Sequence, residues 1–123
     1  MKTNIKATNI SLESAVTDYL EGKIQSLEHH FESTEIPNIR AEIELGRETA
    51  HHRQGDIFRA EINLHLPEKT LRAVARRDDL YTAIDKMKDE IIREITSYRG
   101  RKLSRFRRSG RAVKNFLRGF KRK

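Results

Sequence analysis

Hydrophobic positions along the chain change period three times. Thr3, Ile5 and Ala7 alternate with Lys2, Asn4 and Lys6, which predicts a short strand with one buried face. Asn9 to Ser14 carries turn and capping chemistry, with Ser11 or Glu13 at the cap. Leu12, Val16, Tyr19, Leu20, Ile24, Leu27 and Phe31 then fall at helical spacing and predict a first helix ending near Phe31. Pro37 closes the connection. Ile39, Ala41, Ile43 and Leu45 alternate with charged residues as a second strand, followed by a polar loop from Gly46 to Asp56. Phe58, Ala60, Ile62, Leu64 and Leu66 mark a third strand. Pro67-Glu68-Lys69 makes a reversal, and Leu71, Ala73 and Ala75 a fourth strand. Asp78 or Asp79 caps a second helix whose stripe is Leu80, Tyr81, Ile84, Met87, Ile91, Ile95 and Tyr98.

The order is β-α-β-β-β-α. A crossover makes the first two strands parallel, and the hairpins make the others antiparallel. Only one sheet face is apolar, so both helices must cover it. The predicted fold is an α+β two-layer sandwich: a four-stranded mixed sheet with two helices on one face, close to double-stranded-RNA-binding domains with an extra strand. The other face, with Arg40, Glu42, Glu44, Arg59, Glu61 and Arg72, mixes both signs and reads as a solvated surface of cross-strand pairs.

Charge changes this picture at one end. The chain of 123 residues has net charge +8, and its last 29 residues carry twelve Lys or Arg and no acid. Residues 1–94 keep 14 basic against 18 acidic side chains, a net −4. Basicity is therefore local, which points to an anionic partner, nucleic acid or membrane. Residues 1–100 form the predicted domain and 101–123 a basic, partly amphipathic tail. Phe106, Val113, Phe116, Leu117 and Phe120 share one stripe if 103–122 become helical. Ser109-Gly110 and Gly119 weaken that helix, so the segment is expected to order only on a partner. RNA is the expected partner; a membrane surface is the alternative, and no membrane association is expected.

Chemistry is sparse. Cysteine is absent, which removes disulfides and thiolate zinc sites. His29-His30 and His51-His52 are adjacent pairs whose side chains diverge, so neither suits a metal. No phosphate loop or nucleophile elbow is present. The expectation is a non-enzyme without metal or cofactor and without a small-molecule substrate. The N-terminus lacks the apolar run of a signal peptide and no stretch reaches membrane-spanning length, which points to the cytoplasm.

The basic residues are the stronger signal. Arg76 and Arg77 precede a helix N-terminus, where positive charge opposes the dipole unless an aspartate or a phosphate compensates. Lys86, Lys88 and Arg93 line the outer helix surface. Their plain alternative is a solvated face paired with Asp85, Asp89 and Glu90. Lys23 falls within the first helix's stripe by angle, with its stem packed and its ammonium at the edge. Arg99, Arg101, Lys102, Arg105, Arg107 and Arg108 continue the cationic series.

Three stretches resemble the ribosome hibernation-promoting factor family, which includes the ribosome-associated inhibitor protein Y. They are Thr8-Asn9-Ile10, the run from His51-His52-Arg53-Gln54-Gly55 to Asn63-Leu64, and Leu71-Arg72-Ala73 followed by Asp79-Leu80-Tyr81-Thr82-Ala83-Ile84-Asp85. The resemblance covers about residues 1–100 and is to a short form. It implies the same β-α-β-β-β-α fold. It also implies lodging in the small ribosomal subunit between head and body, over the messenger channel and the A and P sites, which silences translation under stress. It implies rRNA contacts by Lys23, Lys86, Lys88, Arg93 and Arg99. The role of the tail is not settled by the resemblance; ribosomal proteins are a candidate partner for it. Glu90, Thr96-Ser97 and Ser26 depart from the basic residues common in the family. A structural small-subunit ribosomal protein is the alternative reading.

Overall fold

The computed structural model describes residues 1–49 and 55–108. Strand β1 (Lys2–Thr8) leads through a turn into helix α1 (Ser14–Glu28). A 3-10 turn (Ile36–Asn38) precedes β2 (Arg40–Thr49), β3 (Asp56–His65) and β4 (Thr70–Arg77), and helix α2 (Leu80–Arg108) ends the described chain. The sheet order is β1-β2-β3-β4, with β1 parallel to β2 and the other neighbours antiparallel. This is the expected four-stranded mixed sheet with two helices on one face.

Local chemistry accounts for the boundaries. Asn9 sits at φ 60, a left-handed conformation that Asn tolerates better than most residues, and it turns the chain from β1 toward α1. Glu13 occupies the cap position of α1 without a side-chain cap hydrogen bond. Helix α1 stops at Glu28, earlier than the stripe suggested, and Phe31 is buried from the turn that follows. Pro37 lies within the 3-10 turn. Strand β2 runs on through Gly46 to Thr49, residues expected in a loop, because their antiparallel partners Asp56 to Arg59 continue the ladder. The Leu66 N–H donates to the Lys69 carbonyl at 2.8 Å and closes the β3–β4 reversal. The His51-His52 stretch falls outside the described residues.

One core holds the layers together. Val16, Leu20, Ile24 and Leu27 of α1 and Ala83, Ile84, Met87, Ile91, Ile95 and Tyr98 of α2 close on Ala41, Ile43, Leu45, Ala60, Ile62, Leu64, Leu71, Ala73 and Ala75. Helix α2 lies over β4 and β3, with α1 beside it. The alanines of β3 and β4 are small enough to let α2 approach the sheet closely.

Strand β1 departs from expectation. Of its supposed buried face, only Ile5 is half-buried, while Thr3 and Ala7 are exposed. It is the edge strand, and between it and α1 a gap of about 290 Å³ remains, lined by Thr3, Ile5, Glu21, Ile24 and Gln25. Alternation records which side a residue faces, not whether anything covers it.

Ile91→Ala, at a fully buried site on α2, should lower stability by about 2–5 kcal/mol in urea unfolding. Ile5→Ala on the uncovered edge should cost about half of that or less.

Candidate nucleic-acid interface

Helix α2 is the element from which the site is built. The Thr82 N–H and hydroxyl both donate to Asp79 Oδ2 at 2.9 Å, which fixes the helix start. Its buried stripe ends at Tyr98, and every residue from Arg99 to Arg108 is exposed. Ten residues therefore project past the core, about 15 Å of helix. The expectation of disorder from residue 103 is corrected as far as Arg108, because those residues continue a helix already nucleated on the sheet. Residues 109–123, with Val113, Phe116, Leu117 and Phe120, lie outside the described residues.

Two polar clusters keep α2 from rotating on its stripe. In the first, the Tyr19 hydroxyl of α1 donates a short hydrogen bond to Asp85 Oδ1. Lys23 Nζ lies 3.2 Å from the same oxygen and 4.9 Å from the centre of the Tyr19 ring. Tyr19 and Tyr81 meet edge to face, with centroids 5.0 Å apart. The Tyr19 hydrogen bond, helped by Lys23, holds the Asp85 carboxyl below its usual range, and Asp85 in turn raises the Lys23 ammonium. In the second cluster, Lys102 Nζ is 2.7 Å from Glu68 of the β3–β4 reversal, and the Tyr98 hydroxyl donates to Glu68 at 3.2 Å. Arg99 lies 3.4 Å from Glu35 and 4.9 Å from the Phe31 ring centre. These groups border a cleft of about 970 Å³ between the end of α1, the reversal and α2.

The basic residues expected at the interface separate into distinct sets. Arg76 and Arg77 are strand residues of β4 and do not join the α2 surface. Arg76 alternates onto the open sheet face, where its Nε is 3.3 Å from Glu48, and Arg77 donates to the Arg76 carbonyl. Lys23, Arg93, Arg99 and Lys102 each have a carboxylate partner, Asp85, Glu90, Glu35 and Glu68 respectively. Lys86, Lys88, Arg101, Arg105, Arg107 and Arg108 have no carboxylate within 4 Å among the described residues. The pairing of Lys86 and Lys88 with neighbouring aspartates, the plain alternative, does not occur. These six cations run along about 33 Å of one helix.

The open sheet face is cancelled by pairing. Arg59 lies 3.6 Å from Glu44 and 3.3 Å from Glu61, and Arg72 lies 2.6 Å from Glu61. Burial works to raise the Glu61 carboxyl, but the Arg72 hydrogen bond and the charge of Arg59 outweigh it and hold it low. Positive charge without a partner is thus concentrated on α2. Among the described residues no group of three or more His, Asp or Glu could hold a metal, and no helix is long and apolar enough to cross a membrane.

A model of the family described as Sigma 54 modulation protein / S30EA ribosomal protein matches residues 3–103. The chain belongs to that family. A ribosome hibernation promotion factor of Staphylococcus aureus (strain COL) is 29% identical over 101 residues, which make up 82% of this chain and 50% of that protein. The S30EA-type chain thus spans about half the length of this relative. Among solved structures, the Thermus thermophilus protein Y N-terminal domain superposes with a TM-score of 0.63 at 24% identity, covering 80% of this chain and 99% of that one. A ribosomal subunit interface protein from Coxiella burnetii gives 0.65 at 18% identity, covering 81% and 99%. The S30EA match takes in α1, β2 to β4, β1 from Thr3 and α2 as far as Leu103, so Arg105, Arg107 and Arg108 lie beyond it.

The Asp79–Asp85 element now has a physical account. Asp79 caps, Ala83 and Ile84 are buried, Tyr81 meets Tyr19, and Asp85 receives Tyr19 and Lys23. Tyr81 is corrected from the buried stripe to its exposed margin. Its helical angle, about 100° from the stripe's centre, is the sequence signal that marks it. Glu35 and Glu68 had no local signal, since their partners lie 64 and 34 residues away.

Asp85→Asn should lower stability near neutral pH by about 1 kcal/mol or less, because the group is partly exposed. The depressed carboxyl contributes above the usual carboxylate range and loses its contribution as pH falls through its folded value. Lys23, raised, contributes below the usual lysine range and loses it as pH climbs through its own. Urea melts across pH should show the gap between wild type and variant closing at both extremes.

Proposed function

We propose that this chain is a non-enzymatic ribosome hibernation factor. It binds rRNA of the small ribosomal subunit in the messenger and tRNA channel and inhibits translation by occupying the A and P sites. The observation that carries the reading is the set of six cations spread along α2, Lys88 half-buried and the other five exposed, with no carboxylate within 4 Å among the described residues, on a helix whose apolar stripe is packed on the sheet. Phosphates along an RNA backbone supply the missing counter-charge, and a stiff helix presents its charges without first having to be ordered. The family description, the hibernation promotion factor among its relatives and the subunit interface protein among its neighbours support the same assignment. A factor of this kind works on the ribosome and therefore in the cytoplasm.

Lys86, Lys88, Arg101, Arg105, Arg107 and Arg108 make the phosphate contacts. Lys23, Arg93, Arg99 and Lys102 join them where phosphate displaces the internal carboxylate. Arg77 borders the surface at the start of α2, and Arg76 stays on the far face. A constitutive structural role is the second reading, favoured by the words "ribosomal protein" in the family description. Stoichiometry through growth separates the two: a structural component is present on every ribosome, a hibernation factor on idle ones.

Binding to purified small subunits should weaken by orders of magnitude between about 50 and 200 mM salt, with a log–log slope set by about five to eight neutralised phosphates. Replacing the four arginines Arg101, Arg105, Arg107 and Arg108 with Ala should flatten the slope by about four contacts, while Arg76→Ala leaves it unchanged. A flat salt response of the wild-type chain removes the mechanism.

A further inference from the structure

The sequence contains three tyrosines and no tryptophan, and the structure gives the tyrosines different employment. The hydroxyls of Tyr19 and Tyr98 are engaged by Asp85 and Glu68. Tyr81 is 36% exposed, and its ring meets that of Tyr19 at an interplanar angle of 83°; among the described residues no hydrogen bond involves its hydroxyl. Burial therefore does not explain a large aromatic side chain at this position. The ring is nevertheless held in place, because Tyr19 is itself pinned by Asp85 and by the Lys23 ammonium over its ring. Lys88 lies two turns along α2 on the same side, close enough to act on the Asp85 charge, and has no carboxylate partner of its own. Asp85 is paired with Lys23 at 3.2 Å, which leaves Lys88, half-buried two helical turns from the Tyr81 position, without a carboxylate within 4 Å.

We propose that Tyr81 is a stacking seat for one unpaired nucleobase of single-stranded RNA, with Lys88 on an adjoining phosphate and the Tyr19–Asp85–Lys23 cluster as its rigid backing. The proposal rests on the RNA-binding reading above and names the first element in it that engages a base. A fixed aromatic face loses little conformational freedom on binding. It accepts any base, since each has a π-face, and only a base free of its duplex stack reaches it. The seat distinguishes single strands from duplex, whereas the arginines beyond Tyr98 bind either.

The test uses the full chain and three probes: a ten-nucleotide single-stranded oligoadenylate, the same length as duplex RNA, and inorganic polyphosphate. Anisotropy of labelled RNA reads affinity, and intrinsic tyrosine fluorescence, free of tryptophan, reads stacking directly. Oligoadenylate should quench the tyrosines while polyphosphate does not. Tyr81→Leu keeps an apolar contact to Tyr19 but has no π-face. It should bind the single strand about tenfold more weakly with an unchanged salt slope, and duplex and polyphosphate as wild type does. Tyr81→Phe should bind as wild type, and Lys88→Ala should reduce the slope by about one contact. Thermal melts confirm that each variant is folded. Unchanged affinity and quenching in Tyr81→Leu overturn the seat and leave the ribosomal reading standing. Absence of binding to all three probes, with no salt dependence on small subunits, overturns both.

Discussion

The packing of α2 on the sheet is the constraint from which the other features follow. Its stripe from Ala83 to Tyr98 lies against the small residues of β3 and β4, so the orientation of the helix about its axis is decided by burial. Once that face is committed, Lys86 is left exposed and Lys88 half-buried at the flanks of the stripe, and the helix past Tyr98 meets the body only through Arg99 and Lys102 before it runs on exposed to Arg108. The Tyr19–Asp85–Lys23 cluster and the Glu68 and Glu35 contacts work on the same degree of freedom from the two sides. Individually such partly exposed pairs contribute little, and their effect is to fix the angle at which a row of cations is presented.

Charge is distributed to match. On the open sheet face Arg59, Arg72 and Arg76 are matched by Glu44, Glu61 and Glu48, so that surface projects little field despite its many ions. Among the described residues six cations without a carboxylate within 4 Å stand on one helix, where their fields add. Membership of the S30EA family places this arrangement on that family's scaffold, and the protein Y N-terminal domain shares its fold.

Period and angle made much of this legible in the sequence. Alternation at Ala41–Leu45, Ala60–Leu64 and Leu71–Ala75 gave the strands and the side each residue faces, and the helical stripe gave the face of α2, because burial leaves a periodic trace. Coverage leaves none: β1 alternates as well as β2 does, yet lies on an edge that the helices do not close. Long-range pairing leaves none either. Nothing local shows that Glu35 and Glu68 reach Arg99 and Lys102, or that Glu48 draws Arg76 to the far side of the sheet. The free and the paired cations therefore looked alike until the fold brought the carboxylates to them. Tyr81 was misplaced for a different reason: it is apolar enough to join the stripe by composition while its angle sets it at the margin.

The central claim is that a slightly acidic body holds a cationic helix so that the pair fills an RNA-walled passage otherwise used by messenger and tRNA. Purified small subunits saturated with this polypeptide, then offered labelled messenger and initiator tRNA, test it most directly. The account predicts that both are excluded, and that release of the polypeptide restores their binding. Equal uptake of messenger and initiator tRNA by saturated and bare subunits contradicts it.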